Sequence, residues 1–122
     1  MDIPTKNNRK ILVTQALPYA NAPLHLGHIL EAVQTDIWTR FQNLNGNECH
    51  FFCADDTHGT PVMLKANEMG ITPEKLIEDV YQDHKSTYEL YDINFANFYS
   101  THSDENKKYS EPGKYTQDFK SR

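Results

Sequence analysis

Apolar residues along this chain alternate between short runs and longer periodic segments. Residues 11–14 form an aliphatic and β-branched run that predicts a buried strand, and a loop with two prolines follows at residues 15–24. From Gly27 onward apolar residues recur every four positions, which predicts a helix that ends before Asn45 and Gly46. We expect the apolar stripe of this helix to lie in the core. The stripe consists of Ile29, Leu30, Val33, Ile37, Trp38 and Phe41.

A second strand and two further helices are predicted next. Residues 48–54 are rich in aromatic residues, and their near-continuous apolar end is typical of a parallel strand covered on both faces. The Thr-Pro pairs at residues 60–61 and 72–73 each predict a helix start, with Thr as the N-cap and Pro as the first helical residue. The first of these helices should stop at Gly70 and the second near Tyr91.

The C-terminal part of the chain is predicted to hold one more strand and one short helix. Residues 93–99 predict the strand, and Ser103 is the expected N-cap of a helix with an acidic first turn. Pro112 and Gly113 should end that helix, and we expect the polar, aperiodic residues 114–122 to be poorly ordered.

This order of elements predicts an α/β fold with a parallel sheet. Open sheets of this kind bind ligands outside the carboxyl ends of their strands. The polar loops at residues 15–24 and 55–59 both follow a predicted strand, so we expect them to share one crevice.

Composition and charge narrow the class of protein. A chain of 122 residues, 38% hydrophobic and 24% charged, suits one small domain without a membrane span or a secretory leader, so we expect a cytoplasmic protein. The net charge of -5 argues against a main nucleic-acid surface. Cys49 and Cys53 would lie about 13 Å apart along a strand, too far for one zinc ion or a disulfide, so we expect two buried reduced thiols.

The sequence HLGH is the clearest candidate for a ligand-binding site. His25 and His28 lie three residues apart where a loop enters a helix, so both face the same side. Helix N-termini favour anions, and Gly27 would let a flat base lie against the backbone. Two surface histidines beside a tight loop are the ordinary interpretation of so short a pattern. Here the pattern follows a strand and opens an amphipathic helix, which favours a phosphate site.

Three stretches carry a resemblance to the methionyl-tRNA synthetases, a family of class I aminoacyl-tRNA synthetases. They are KILVTQALPYANAPLHLGH, FFCADDTHGTPVMLKANEMGITPEKLI and NFYSTHSDEN, and HLGH resembles the family's HIGH motif. The resemblance covers most of the chain and implies the N-terminal half of a Rossmann-like, HUP-type nucleotide-binding fold. On this basis residues 1–10 are an extension, residues 11–108 a partial catalytic domain and residues 109–122 a divergent tail.

The resemblance implies a methionine–tRNA ligase, which uses ATP to convert L-methionine to methionyl-adenylate and then transfers it to tRNA(Met). It makes His25 and His28 the catalytic residues and adds Gly27 to them as the ATP-binding set. The methionine-binding residues that it implies are Ala16, Leu17, Tyr19 and Asp56. Mg²⁺ is expected with ATP, and no zinc site is expected in this segment.

Other interpretations remain open at this stage. The family's KMSKS motif and zinc-binding cysteines are absent from the sequence, and EPGKYTQDFKSR departs from the expected continuation, which suggests an internal deletion or a truncation. We therefore expect these 122 residues to be inactive alone. The alternative is a non-catalytic remnant that acts at most as a weak ligand-binding or interaction module. A third interpretation is a nucleotidyltransferase outside the synthetases that also uses an HxGH turn, but it gives no reason for the stretch CADDTHGTP.

Several polar residues also have an ordinary structural interpretation. Asp55 and Asp56 could form a solvated turn at a strand end. His58 could contact a ligand or cap a turn. His84 and His102 lie in polar surroundings, and we expect both at the surface.

Overall fold

A three-stranded parallel sheet and four helices make up residues 9–111, the part of the chain that this computed structural model describes. In chain order the elements are β1 (Lys10–Thr14), α1 (Leu26–Leu44), β2 (Glu48–Asp55), α2 (Thr60–Met69), α3 (Pro73–Leu90), β3 (Asn97–Ser100) and α4 (Asp104–Ser110). The α/β prediction is confirmed. The expectations for residues 1–8 and for the tail from residue 112 lie outside the described residues.

The register of the sheet places the carboxyl ends of its strands along one edge. Thr14 pairs with Phe52 at the end of β1, and Asp55 pairs with Ser100 at the end of β2. The strand order is β1-β2-β3 with both pairings parallel, so the loops after β1 and β2 leave the sheet side by side.

The helix starts follow the predicted capping chemistry at two places and depart from it at one. Thr72 and Ser103 each accept a hydrogen bond from a backbone amide of the first helical turn, as predicted. At α2 the prediction of Thr60 as the N-cap is wrong. The cap is Gly59 at φ 125°, which makes no side-chain bond, so the helix starts one residue earlier. Gly70 ends α2 in the left-handed conformation at φ 66°, as expected.

The apolar stripe of α1 is buried only along part of its width. Ile29 is 6% exposed and packs with Tyr88 of α3, whereas Ile37 is 62% and Phe41 55% exposed. The prediction that the whole stripe lies in the core is therefore wrong for Leu30, Ile37, Trp38 and Phe41. Four-residue spacing places these side chains near one side of the helix, but it does not reveal how much of that side another element covers.

Other elements cover only one face of the sheet within residues 9–111, and the opposite face is exposed. Phe51, Cys49 and Cys53 of β2 are buried, while Leu12 of β1 is 70% exposed and Tyr99 of β3 is 42% exposed. The expectation of a strand covered on both faces is not met here. The two cysteines are buried free thiols, as predicted, and burial raises the pKa of Cys53 to about 12.

The third strand is shorter than the sequence predicted, and it begins at Asn97 because Asn94 bonds to α1. The amide of Asn94 donates to the Asp36 carboxylate at 3.0 Å, and the amide of Ala96 donates to the carbonyl of Phe51 at 2.7 Å. The ring of Phe95 lies 4.5 Å from that of Phe51. Residues 93–96 therefore form a packed connection between α3 and β3.

Candidate functional site

The start of α1 is built from the two histidines of HLGH. His25 is the N-cap, and its Nδ1 accepts a hydrogen bond from the amide of Gly27 at 3.1 Å. The amide of His25 donates in turn to Nδ1 of His28 at 3.3 Å. The two rings stack with their centroids 3.7 Å apart. Because both Nδ1 atoms accept, each neutral ring carries its hydrogen on Nε2 and has that donor left for a ligand.

The electrostatics of this turn favour the neutral form of the His28 ring. Partial burial, and then the positive charges of His25 and His84, lower the pKa of His28. A neutral ring is also what the capping bonds require, since a protonated Nδ1 cannot accept. The turn can therefore offer N–H donors to an anion at the end of the helix where the dipole is positive.

Gly27 leaves room for the His25 ring at this turn. A Cβ atom at this position would lie 2.9 Å from Cε1 of His25 and 3.0 Å from its Nδ1, so the His25 ring would have to shift to accommodate it. The missing side chain thus admits the His25 ring itself. The suggestion that a base lies against this glycine stays a prediction.

The loop after β1 meets the loop after β2 through backbone hydrogen bonds. The amide of Ala20 donates to the carbonyl of Asp56 at 2.9 Å, and the amide of Asp56 donates to the carbonyl of Pro18 at 2.8 Å. Tyr19 and Asp56 form an isolated parallel bridge. Tyr19 is 53% exposed and Asp56 is half-buried. The two loops predicted to share a crevice are thus in direct contact.

Ala16 and Leu17, the other two predicted methionine contacts, lie at the beginning of the first loop. The amide of Ala16 donates to the Glu31 carboxylate of α1 at 2.9 Å. Leu17 is 42% exposed and lines a cavity of about 390 Å³ together with Phe52 and Tyr99. This apolar cavity opens on the uncovered face of the sheet, beside the loop that leads to HLGH.

His84 is the residue of this region that sequence reasoning missed. The expectation that it lies at the surface is wrong, because it is fully buried and bonded at both ring nitrogens. A signal was present in the spacing. His84 falls on the four-residue repeat formed by Leu76, Val80 and Tyr88, all of which are buried on one side of α3.

His58 and His102 are exposed and lie apart from the HLGH turn. Nε2 of His58 lies 3.3 Å from the carbonyl oxygen of Thr101, and the two histidine rings are 5.5 Å apart. Both line a cavity of about 680 Å³ at the start of α4. The surface position expected for His102 is confirmed, and His58 holds the turn between β3 and α4.

Residues 9–111 contain neither a metal-binding cluster of three side chains nor a membrane-spanning helix. No three His, Cys, Asp or Glu side chains in this range come close enough together to hold a metal ion. Within the same range, every helix is too short or too polar to cross a bilayer.

Comparisons with known proteins agree with this geometry. A family model described as tRNA synthetases class I (M) matches residues 11–115. A Mycobacterium tuberculosis methionyl-tRNA synthetase in complex with methionyl-adenylate superposes with a TM-score of 0.80 at 28% identity, covering 82% of this chain and 20% of that one. A second structure of the M. tuberculosis enzyme, bound by methionyl-adenylate, gives 0.77 at 26% identity, with 84% and 20% covered.

A further similar structure is a LeuRS and not a methionyl-tRNA synthetase. The ternary complex of Agrobacterium radiobacter K84 agnB2 LeuRS with tRNA and LeuAMS gives a TM-score of 0.74 at 25% identity, covering 83% of this chain and 13% of that one. The chain thus spans about a fifth of the length of the methionyl-tRNA synthetases that it matches.

Proposed function

This chain belongs to the class I tRNA synthetase family, and from that premise we propose that residues 11–108 form the methionine- and ATP-binding part of a methionine–tRNA ligase. The observation that carries the proposal is the contact between the HLGH loop and the Asp56 loop at the carboxyl ends of β1 and β2. Two structures similar to this chain contain methionyl-adenylate, a molecule that joins an amino acid to a nucleotide.

The proposed reaction has two steps. A carboxylate oxygen of L-methionine attacks the α-phosphorus of ATP, the bond to the β-phosphate oxygen breaks, and methionyl-adenylate and pyrophosphate are formed. A hydroxyl group at the 3′ end of tRNA(Met) then displaces AMP to give the ester. Negative charge grows on the phosphate oxygens in the first step, so donors fixed before the reaction stabilise its transition state.

His25 and His28 are proposed to supply those donors. Their Nδ1 atoms are engaged in capping, which leaves Nε2–H on each ring as the donor for ATP. The stacked rings hold each other in one orientation, so little freedom is lost when a phosphate binds. Gly27 belongs to this proposed ATP site because it admits the His25 ring.

Asp56 is proposed to bind the ammonium group of methionine. A carboxylate forms a charge-assisted hydrogen bond with a cation, and the half-buried position of Asp56 strengthens such a bond. Leu17 and Tyr19 would border the thioether side chain, and Ala16 would contribute backbone contacts. Both aliphatic and aromatic surfaces suit a polarizable thioether.

Ligand binding tests the proposal on this chain directly. We expect a hydrolysis-resistant methionyl-adenylate analogue to raise the melting temperature of the 122-residue chain in a saturable way. The leucyl analogue should have a smaller effect, and His25→Ala combined with His28→Ala should weaken binding of the methionyl analogue. Equal stabilisation by both analogues would contradict methionine selectivity, and no stabilisation by either would favour a non-catalytic remnant.

Pyrophosphate exchange measures activity apart from binding. We expect the 122-residue chain alone to show no methionine-dependent ATP–pyrophosphate exchange above the His25→Ala, His28→Ala double variant. The two histidines supply one wall of an ATP site, and the sequence has no KMSKS lysine to neutralise the phosphates on another side. Exchange above that control would show that this chain activates methionine unaided.

A further inference from the structure

His84 joins three separate segments of the molecule. It lies on α3, its Nδ1 is 2.7 Å from Oδ1 of Asp55, and its Nε2 is 2.8 Å from the carbonyl oxygen of Ala22. The side chains of His84 and Asp55 are both fully buried. We call the group formed by His84, Asp55 and the carbonyl of Ala22 the His84 bridge.

Two of the three segments that the His84 bridge joins are the loops of the proposed site. Ala22 lies three residues before His25, the cap of α1, and Asp55 directly precedes Asp56. The bonds of Ala20 and Asp56 already tie the loops through their backbones. The bridge adds a second connection, made through a rigid ring on the long helix α3.

Both ring nitrogens of His84 face acceptors, and the bonds to Asp55 and to the carbonyl of Ala22 raise the pKa of the ring, which favours the protonated imidazolium. A carbonyl oxygen cannot donate, so Nε2 must carry a hydrogen, and a second hydrogen lies between Nδ1 and Oδ1. Charge-assisted bonds of this kind are stronger and more directional than neutral ones. Removing either end leaves a buried polar group unpaired, which is costly.

We infer that His84 is a positioning residue that fixes the distance between the HLGH turn and the Asp56 loop, and so prepares the site for a ligand that spans both. This inference rests on the proposed function for the identity of that ligand. The affinity for a ligand that contacts only one of the loops depends little on the distance between them.

Other charged groups around His84 are consistent with this role. Asp83 of the same helix and Asp55 stabilise the protonated ring, and His28 of the HLGH turn is close enough for the charge of His84 to lower its pKa. The bridge therefore lies within electrostatic range of the turn that it is proposed to position.

Hydrogen exchange without ligand tests the positioning role on the whole chain. His84→Gln keeps a donor that reaches toward Ala22, and His84→Asn keeps one near Asp55, so each variant breaks one end of the bridge. We expect the amides of Ala20 and Asp56 to exchange about tenfold faster or more in both variants. The amide of Ala96, bonded to Phe51 elsewhere in the sheet, should be unchanged.

Two results of this measurement would overturn the inference. Equal acceleration at Ala20, Asp56 and Ala96 would mean that His84 only stabilises the fold as a whole. No acceleration at any of them would mean that the backbone bonds suffice. If neither His84 variant folds, Asp55→Asn keeps an acceptor for Nδ1 without the charge, and the same comparison of amides applies.

Ligand affinity provides the second readout. In His84→Gln we expect affinity for the methionyl-adenylate analogue to fall about tenfold, while affinities for L-methionine alone and for ATP alone fall less than about twofold. His50→Gln is the matched control, because His50 is an exposed histidine near the opposite end of β2. A uniform loss for all three ligands would overturn the inference. If the unmodified chain binds none of them, the proposed function fails, and hydrogen exchange still decides the role of His84.

Discussion

Gly27 lies where a histidine ring occupies the space that any other side chain would need. We expect Gly27→Ala to push the His25 ring away, break the cap and destabilise the fold by about 1 kcal/mol, a typical value for a lost N-cap. The measurement is urea unfolding, with Leu26→Ala as the control because Leu26 is 79% exposed in the same turn. A stability equal to that of the control would show that the cap contributes little.

The buried charge of His84 should make stability depend on pH. Burial opposes the charged ring, but the bonds to Asp55 and to the carbonyl of Ala22 outweigh it and raise the pKa of His84 above 6.5. The folded state therefore binds this proton more tightly than the unfolded state. The stabilisation is fully present below pH 6.5 and is lost as the pH rises through the folded pKa.

This contribution is isolated by measuring the free energy of unfolding from about pH 6 upward, both in the unmodified chain and in His84→Gln. We expect the difference in the free energy of unfolding to shrink as the pH rises. His28 contributes in the opposite direction, and the two larger causes of its lowered pKa, burial and the charge of His25, act in both chains, so His28 offsets only part of the difference. A difference that is constant with pH would contradict a charged bridge.

Helix α1 shows what a periodic pattern predicts at the scale of an element. Its bounds and those of α3 follow from period and capping residues, which are local, and both were predicted closely. Burial depends instead on what packs against each side, which is why the α1 stripe was predicted only in part. His84 was missed for the same reason, since its partners lie 29 and 62 residues away in sequence.

The two sides of α1 should respond differently to the same truncation. Ile29→Ala removes a side chain buried against Tyr88, and we expect it to cost about 2–4 kcal/mol. Ile37→Ala removes one that is 62% exposed, and we expect a cost of about 0.5 kcal/mol or less. Chemical denaturation of the two variants measures both values, and equal costs would contradict the one-sided burial of this helix.

The molecule as a whole exposes surfaces that favour association. Within residues 9–111 the edge strand β1 pairs with β2 alone, which leaves its other edge without a strand partner. The exposed part of the α1 stripe adds apolar surface. We therefore expect the 122-residue chain to be marginally stable and to self-associate.

Melting followed over about a hundredfold range of concentration tests this expectation, because association makes the midpoint depend on concentration. A variant that carries Ile37→Lys and Leu44→Lys should reduce the dependence, since these side chains are 62% and 87% exposed. A cooperative melt that is the same at every concentration, with well-dispersed amide resonances, would contradict the expectation.

The uncovered face of the sheet also determines how stability varies with temperature. Apolar surface that is already in water in the folded chain adds nothing to the heat capacity increment of unfolding. Leu12 at 70% exposure and Tyr99 at 42% belong to that surface. The increment per residue should therefore fall below the usual value of about 12–15 cal/mol/K, and the curve of free energy against temperature should be flatter than that of an ordinary domain. Cooling should then alter the stability of this polypeptide less than that of a domain whose sheet is covered on both faces.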